Sequence, residues 1–402
     1  MSKQLFVTGA GILSTLGNGK NDTLKALLEK RSGISSLQYL KTAHNEFPAG
    51  EVKLSNEEMM RLLQMPEHEI TTRTSLMGII AVREALEQAV LFEKDGLRIA
   101  LISGTTVGGM DKSEQFYLDF LENDTKNDYI ATHDCGTCTE MIADYFGIFS
   151  SLQTISTACS SAANAVMLGA MLIRSGRADV VVAGGSECIT KFHLNGFNTL
   201  MILDREPCRP FDESRAGLNL GEGAAYIVIE TEQTAKLRGA KPLCKLSGYA
   251  NNCDAFHQTA SSPDGEGAFL AMRNALLNAG IDAGEIDYIN AHGTGTQNND
   301  LSEGIAIERV FGDKIPPVSS TKAFTGHTTS AAGGVEAVIS ILALQNNFIP
   351  ANLNFSNPIS ELSFSPATGS EPQKPMRHIL TNSFGFGGNN TTLIFSKESK
   401  TK

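Results

Sequence analysis

The stretch Ser151-Leu152-Gln153-Thr154-Ile155-Ser156-Thr157-Ala158-Cys159-Ser160-Ser161 leads from a short alternating segment into an apolar run that extends to Arg174. Residues 151–155 predict a β-strand, and the small apolar residues of 162–174 predict a helix. Ser160 and Ser161 are residue types that favour a helix start. Because the helix is apolar on nearly all sides, we expect it at the buried centre of a sizeable domain. Cys159 is therefore predicted to lie at a strand-to-helix turn, in line with the helix N-terminus.

The thiol of Cys159 is the first candidate for chemistry. The positive end of a helix dipole stabilises anions, and a thiolate is an anion. The turn is therefore expected to lower the pKa of Cys159 and to raise its reactivity. The alternative is a structural cysteine in a tight turn, since buried free cysteines are common.

Composition limits the classes of protein to which the chain can belong. It has 402 residues, 41% hydrophobic and 19% charged, which is typical of a globular protein with two or more folding units. The net charge of −11 argues against a general nucleic-acid or membrane-surface binder. We expect neither a transmembrane segment nor a signal peptide, because residues 1–4 lead directly into a predicted strand. The seven cysteines show no paired spacing, which indicates reduced thiols and a cytoplasmic location.

Two short motifs are weak on their own. Cys135-Gly136-Thr137-Cys138 has the spacing of a redox or metal site, but no second pair and no histidine cluster accompany it, so we interpret it as a coincidence. The segment from Leu5 to Gly17 resembles the start of a dinucleotide site but lacks the third glycine. A structural glycine turn after the first strand is the better interpretation.

Strands alternate with helices along the chain, which predicts an α/β fold with helices on both faces of a parallel or mixed sheet. The pattern also repeats. Residues 244–250 resemble the N-terminal strand, 287–293 resemble 98–104, and 318–345 resemble the region around Cys159. We therefore predict two similar halves, 1–233 and 234–402, packed so that the loops at equivalent strand ends converge.

The residues suited to chemistry lie in those loops. His292 stands in Asn290-Ala291-His292-Gly293-Thr294-Gly295-Thr296, and His327 closes the segment that begins at Lys322. Asn382-Ser383-Phe384-Gly385-Phe386-Gly387-Gly388-Asn389 forms a third glycine-rich loop. A single histidine in such a loop is more often a structural hydrogen-bonding group. One thiol and two histidines, all in turns after apolar strands, together favour a catalytic set.

These four motifs, in this order and spacing, resemble the β-ketoacyl–acyl-carrier-protein synthases of the elongating, two-histidine type. The resemblance covers the chain from Val7 to Phe395. It implies a thiolase-like fold of two βαβαβαββ halves in a five-layer α-β-α-β-α arrangement. It also implies a homodimer in which the strands beside the nucleophile pair across the two-fold axis. Asn389 departs from the family pattern, because many members have threonine there.

The resemblance assigns roles to the loop residues. Cys159 would accept the acyl chain, and His292 and His327 would act at the malonyl carboxyl and the thioester carbonyl. Lys322, with Glu336 as its partner, would organise the site. Phe386 would be the gating aromatic residue, and its backbone N–H and that of Cys159 would form the oxyanion hole.

Further residues follow from the same resemblance. Thr294 and Thr296 would hold the phosphopantetheine arm, Val107 would set the depth of the acyl pocket, and Phe384 would contact substrate. Docking of the acidic carrier protein is assigned to Arg205 and Arg73. Some members also hold a structural monovalent cation, and the residues that match its site are Asn290, Glu336 and Asn382.

The implied reaction is a decarboxylating condensation of malonyl and acyl thioesters, with acyl carrier protein as partner. It needs no organic cofactor, because phosphopantetheine arrives on the carrier. Two other classes compete. A CoA-dependent thiolase would carry a second catalytic cysteine near the C-terminus, but no cysteine follows Cys253. A non-catalytic chain-length subunit would lack the nucleophile, but Cys159 is intact. Acyl chain length, pathway and the choice between homodimer and heterodimer stay open.

Overall fold

The computed structural model describes residues 3–66, 68–93, 96–369 and 375–398. Its strands are β1 Leu5–Ser14, β2 Gly17–Asn18, β3 Ile99–Gly104, β4 Ser151–Ile155, β5 Val180–Glu187, β6 Gly223–Thr231, β7 Cys244–Cys253, β8 Tyr288–Asn290, β9 Val318–Ser319, β10 His378–Gly385 and β11 Asn389–Ser396. Its helices are α1 Lys20–Leu28, α2 Asn56–Leu63, α3 Arg73–Ala89, α4 Met110–Glu122, α5 Cys135–Phe146, α6 Ser161–Arg174, α7 Lys191–Thr199, α8 Glu232–Arg238, α9 Glu266–Ala279, α10 Gln297–Phe311, α11 Lys322–Thr325 and α12 Ala332–Asn346.

The strands of the described residues form one continuous path, β4-β3-β5-β6-β1-β7-β11-β10-β8-β9, with β2 attached to β1. With the short β2 left out of the count, the two halves use their own strands in the same order from the outer end inwards: third, second, fourth, fifth and first. The directions also repeat, since β3 pairs in parallel with β4 and β5 as β8 does with β9 and β10. This repeated topology confirms the internal duplication predicted from the sequence. The halves join where Leu5–Val7 of β1 pairs with Cys244–Leu246 of β7.

Helices fill three layers around the two halves of the sheet. The middle layer contains α6 and α12, which pack on strands of both halves. Every residue of α12 from Ala332 to Leu344 is buried. One outer layer contains α3 against β1 and β6, and the other contains α9 against β7 and β11. The five-layer α-β-α-β-α arrangement is thus confirmed. The predicted boundary between residues 233 and 234 falls inside α8 and stays a prediction.

The first strand corrects one expectation. Gly9 and Gly11 form no turn, because β1 continues through them to Ser14. They are needed for helix packing: a Cβ atom on Gly9 would lie 2.1 Å from the Ala85 carbonyl oxygen of α3, and one on Gly11 would lie 2.0 Å from the Ala81 carbonyl oxygen. Close approach of strand and helix therefore explains these glycines.

The charged and aromatic region 111–130 lies on the surface and is helical. It contains α4, which has no buried residue, and the start of a 3₁₀-helix over Asn127–His133. Tyr117, Leu118 and Leu121 of α4 are exposed apolar side chains. Among the described residues, no helix combines the length and the apolar character needed to cross a membrane.

Candidate active site

The turn between β4 and α6 that carries Cys159 contains a strained residue. Ala158 has a left-handed backbone, with φ of 51°, which costs a residue with a Cβ atom on the order of 1 kcal/mol. Hydrogen bonds hold the turn: Thr157 donates its N–H to the Ser161 hydroxyl at 2.9 Å, and that hydroxyl donates to the Ala158 carbonyl at 2.6 Å. Ser160 occupies the N-cap position of the helix that begins at Ser161, so Cys159 lies one residue before the cap.

The three predicted catalytic side chains meet in one buried cluster. The Cys159 sulfur lies 3.1 Å from Nε2 of His327. The rings of His292 and His327 meet edge to face, with centroids 5.2 Å apart. The backbone N–H of Phe386 donates to the Cys159 sulfur. Residues separated by more than 100 positions in the sequence thus converge through the packing of the two halves.

The pKa of the thiol contradicts the expectation from the helix dipole. Burial raises the pKa of Cys159 to about 12, although the Lys322 charge and the Phe386 N–H act to lower it. The Glu187 and Glu336 carboxylates raise it further. The resting group is therefore a thiol, and Nε2 of His327 is placed to take its proton when the sulfur attacks.

Both histidines are neutral. Burial lowers the pKa of His292 and of His327 well below the usual value, and the Lys322 charge lowers both further. The Lys322 ammonium lies 3.2 Å from Nδ1 of His292 and can only donate, so the His292 proton resides on Nε2. A neutral imidazole with a fixed Nε2–H can stabilise a negative oxygen without first losing or gaining a proton.

Two buried carboxylates support these groups, and Lys322 contacts the first of them. Its ammonium donates to the His292 carbonyl and forms an ion pair with Glu336. Burial raises the pKa of Glu336 to about 7, against the effect of Lys322. The second carboxylate, Glu303, accepts the backbone N–H groups of His292 and Gly293 at 2.9 and 2.7 Å. It therefore fixes the loop that carries His292.

Glu303 was missed by the sequence reasoning. It lies on α10, seven residues after Thr296, and is a buried acid within an otherwise regular helix. The sequence alone does not show that burial. Burial raises its pKa to about 7.

Asn389 is a second residue whose role the sequence did not reveal. Its side-chain oxygen accepts hydrogen bonds from Ser160 at 2.7 Å, Asn164 at 2.8 Å and Asn251 at 2.7 Å. It joins the nucleophile turn to the second half.

The residues assigned to a structural cation fit that role in part. Oδ1 of Asn290 is buried and has no hydrogen-bond partner among the described residues. The neighbouring Glu303 charge raises the pKa of Glu336, so two acids lie close together there. Asn382 fits less well, because its oxygen accepts from Thr392 at 2.8 Å and its Nδ2 donates to Glu303. Asn290, Glu336 and Glu303 are thus the oxygen donors suited to a hard cation.

A cavity of about 340 Å³ opens onto the catalytic cluster. Thr294 and Thr296 lie on its wall, with their hydroxyls 2.8 Å apart. Phe386 also lines it and stacks on Phe197, with ring centroids 5.8 Å apart. The predicted site residues in the lining are Cys159, His292, Thr294, Thr296, His327, Phe384 and Phe386.

Three other expectations have different outcomes. Val107 does not line this cavity; it is buried in a hydrophobic cluster that also contains Cys138 and Ile142. Cys138 is buried on α5, and neither it nor Cys135 joins a group of three metal-ligating side chains in the part of the chain described. Arg205 is exposed, with its guanidinium 6.0 Å above the Phe47 ring.

Arg73 was predicted wrongly as a docking residue. Its side chain is buried and forms an ion pair with Glu222 at 2.5 Å. Nε donates to both Glu222 oxygens, and the remaining guanidinium nitrogens donate to the carbonyls of Leu54 and Val52. Burial lowers the pKa of Arg73, but Glu222 more than offsets this and the pKa rises above its usual value. The pair stabilises the fold and is not available to a partner.

We expect Arg73→Met to lower the free energy of unfolding by about 3–5 kcal/mol, because it leaves the buried Glu222 carboxylate uncompensated. Urea denaturation of the purified protein measures the change. The matched control is Arg98→Met, which breaks an exposed pair with Asp179 and should have a small effect. Equal losses in the two variants would contradict a structural role for the buried pair.

Comparisons with known proteins agree with this geometry. Family models match the chain as the beta-ketoacyl synthase N-terminal domain over residues 2–235 and the beta-ketoacyl synthase C-terminal domain over residues 243–356. A 3-oxoacyl-[acyl-carrier-protein] synthase 2 from Vibrio cholerae is 35% identical over 99% of this chain and 100% of its own length. The chain therefore belongs to the beta-ketoacyl synthase family and is an acyltransferase-type enzyme.

Solved structures show the same likeness. The ishigamide ketosynthase/chain length factor matches with a TM-score of 0.90 and 29% identity, over 99% of this chain and 100% of that one. A type II polyketide ketosynthase, solved with its acyl-carrier protein and bound to a hexaketide, matches with a TM-score of 0.87 and 25% identity, over the same shares of the two chains.

Proposed function

We propose that this protein joins an acyl group carried on Cys159 to the two-carbon unit of malonyl–acyl-carrier protein, releasing CO₂ and 3-oxoacyl–acyl-carrier protein. The observation that carries the proposal is the 3.1 Å contact between the Cys159 sulfur and His327, in a cavity that a second neutral histidine also lines. The name of the Vibrio cholerae relative supports this reaction and substrate class.

In the first half-reaction, the thiol proton moves to Nε2 of His327 as the sulfur attacks the thioester carbonyl of the acyl carrier. The carbonyl oxygen becomes negative, and the backbone N–H groups of Cys159 and Phe386 are the proposed donors to it. The carbon–sulfur bond to the carrier then breaks. The leaving thiolate takes the proton from His327, and the acyl group stays on Cys159.

In the second half-reaction, the carboxyl carbon–carbon bond of the malonyl thioester breaks and CO₂ departs. The bonding electrons move into an enolate, whose charge lies on the thioester oxygen. His292, with its proton fixed on Nε2 by Lys322, donates to that oxygen, and His327 is the second donor in the tautomer that carries its proton on Nε2. One such donor is worth about 3 kcal/mol of barrier. The enolate carbon then attacks the acyl carbonyl, and the Cys159 thiolate leaves and takes up a proton from the solvent.

The carrier protein is the proposed partner, with its phosphopantetheine arm passing Thr294 and Thr296. A structural neighbour solved with its acyl-carrier protein supports this partner. At −11, the whole chain repels an acidic carrier, so a local basic group must guide docking. Arg205 is the candidate, because it is exposed and lies four residues from Met201 in the cavity wall.

Arg205→Glu should raise the KM for acyl-carrier substrates and leave small pantetheine thioesters unaffected. The difference should shrink as salt increases, because exposed charges are screened beyond about 8–10 Å at physiological ionic strength. Steady-state kinetics with both substrate types at low and high salt measure the effect. Lys25, an exposed lysine on α1, supplies the control charge reversal. If both substrate types lose activity equally, Arg205 acts on the fold or the site instead.

The assembly is proposed as a homodimer. Among the described strands, β4 is an edge of the sheet with no strand on one side, and Leu152 on it is exposed. Open edges and exposed apolar side chains of this kind favour pairing with another chain. A heterodimer with a chain length factor is the second candidate, favoured by the ishigamide relative. Light scattering of the chain alone decides: a dimer supports the first proposal, and a monomer supports the second.

Three further assignments are also proposals. The reaction scheme uses no organic cofactor besides the phosphopantetheine of the substrate. A monovalent cation would bind near Asn290, Glu336 and Glu303 and offset the charge of the buried acids. The cytoplasm is the proposed location, supported by the free state of all seven cysteines.

Incubation with an acyl carrier and malonyl carrier tests the function. Mass spectrometry should detect the acyl group on Cys159 and then a 3-oxoacyl carrier product with release of CO₂. A thiolase would instead accept acyl-CoA and make its product without losing CO₂. A non-catalytic subunit would give no acyl-enzyme and no product.

A further inference from the structure

The catalytic cluster has the composition of a metal site as well as that of an acyl-transfer site. Cys159, His292 and His327 each offer one ligand atom, and these atoms all lie within 4.8 Å of one another. No other group of three histidine, cysteine or acidic side chains in the described residues meets this criterion. All three side chains are buried, but they line the cavity, so a small ion and a water molecule can reach them.

The spacing is close to that of a tetrahedral zinc ion. With Zn–S near 2.3 Å and Zn–N near 2.0–2.1 Å, tetrahedral angles place neighbouring ligand atoms about 3.4–3.6 Å apart. The Cys159 sulfur and Nε2 of His327 are 3.1 Å apart, and the largest separation in the cluster does not exceed 4.8 Å. Rotations of the side chains therefore suffice. A thiolate with two imidazoles is a ligand set that prefers Zn²⁺ and related borderline metals over Mg²⁺ or Ca²⁺.

We propose that the unacylated catalytic centre binds a divalent metal of the Zn²⁺ class through Cys159, His292 and His327, with a water molecule as fourth ligand, and that metal and acyl group exclude each other. The ion would occupy the space that the thioester carbonyl needs. Once the sulfur carries an acyl group, it can no longer act as a thiolate ligand. Metal binding would thus be a reversible block on the empty enzyme.

The step balances without any redox change. The thiol of Cys159 forms a sulfur–metal bond and releases its proton to the solvent. The proton on Nε2 of His292 moves to Nδ1 as Nε2 becomes a ligand. Lys322 must then turn away from Nδ1, towards the His292 carbonyl and Glu336, which it already contacts. The metal supplies the positive charge that a buried thiolate otherwise lacks.

Lys322 opposes the metal by its charge and by the tautomer that it selects. Replacement of Lys322 by methionine removes both effects. We therefore expect Lys322→Met to bind the metal more tightly, by about tenfold or more, as for loss of a unit charge several Å away in a partly buried site. The same change should weaken catalysis, since Lys322 orients His292. Tighter metal binding together with lower activity is a combination that general damage to the fold would not produce.

Cobalt(II) is the probe, added to the reduced protein in an oxygen-free buffer without thiols or chelators. We expect one Co²⁺ per chain, with the visible bands of a tetrahedral site and a near-ultraviolet sulfur-to-cobalt band. Cys159→Ser and His327→Ala should each lose affinity by about tenfold or more. Wild-type protein alkylated by iodoacetamide at Cys159 should lose binding equally, and this arm needs no mutation. Cys253→Ser is the matched control, because Cys253 is the exposed cysteine and should bind as wild type.

Unchanged Co²⁺ binding after alkylation of Cys159, or bands of an octahedral ion without the sulfur band, would overturn the proposal. So would a loss of binding in Cys253→Ser, since the metal would then lie at the surface. Thermal unfolding of each variant separates a lost ligand from a lost fold. The measurement uses neither carrier protein nor thioester, so it succeeds or fails independently of the proposed condensation.

Discussion

Cys159→Ala should abolish both acyl-enzyme formation and condensation, because Cys159 is the one thiol among the described residues that line the cavity. Cys159→Gln should behave differently. Its side-chain amide resembles an acylated cysteine in shape and polarity, so the variant should still decarboxylate malonyl–acyl-carrier protein. The neutral histidines that act on the malonyl group are untouched by either change. The two variants therefore separate the two half-reactions.

Intact-protein mass spectrometry measures the acyl-enzyme, and the conversion of malonyl to acetyl carrier measures decarboxylation. Cys135→Ser is the matched control, since Cys135 lies on α5 outside the cavity and should retain both activities. Condensation by Cys159→Ala at the wild-type rate would contradict the proposed mechanism. Loss of decarboxylation in Cys159→Gln would show only that the amide does not reproduce the acylated state.

The second large effect concerns the histidines. His292→Ala and His327→Ala should each slow malonyl decarboxylation by about 10²–10³-fold, the cost of one lost oxyanion donor. Their effects on acylation should differ. Of the two histidines, His327 is the one that contacts the Cys159 sulfur. Because burial raises the pKa of that thiol to about 12, its attack requires a base. His327→Ala should therefore slow acylation, whereas His292→Ala should spare it.

Rapid-quench measurement of acyl-enzyme formation, alongside steady-state decarboxylation, resolves the two steps. The control is His378→Gln, at the far end of β10 from Phe384. Equal acylation rates in the two alanine variants would show that His327 is not the base. Because the pKa values of both histidines lie well below the usual range, decarboxylation should persist as pH falls through 6.5. A loss of rate centred near pH 6.5 would contradict neutral, buried donors.

The sequence was sufficient where function requires particular residue types in particular turns. A thiol before a helix and histidines in glycine-rich strand ends are local patterns, and the structure brings Cys159, His292 and His327 together as predicted. The repeated strand order was visible for the same reason, since each half repeats its own local pattern.

What the sequence did not reveal depends on distant partners. Arg73 has the local pattern of a surface arginine at a helix start, and its burial follows from Glu222, 149 positions away. The pKa of Cys159 rises because two halves of the chain enclose it, and no neighbouring residue indicates that enclosure. From the sequence, Gly9 and Gly11 predict a turn. In the structure, the close approach of α3 to β1 explains why glycine stands at these positions.

The position of β1 has a consequence for the order in which the chain can fold during synthesis. This strand is synthesised well before two of the strands with which it pairs, β6 through Leu5–Thr231 and β7 through Leu5–Leu246. Apart from the short pairing of Leu13 and Ser14 with β2, its backbone has no strand partner among the described residues for more than two hundred residues of translation. Such non-local pairing slows folding and exposes aggregation-prone edges. Nascent chains that stop before β6 should therefore depend on chaperones, and those that extend past β7 should not.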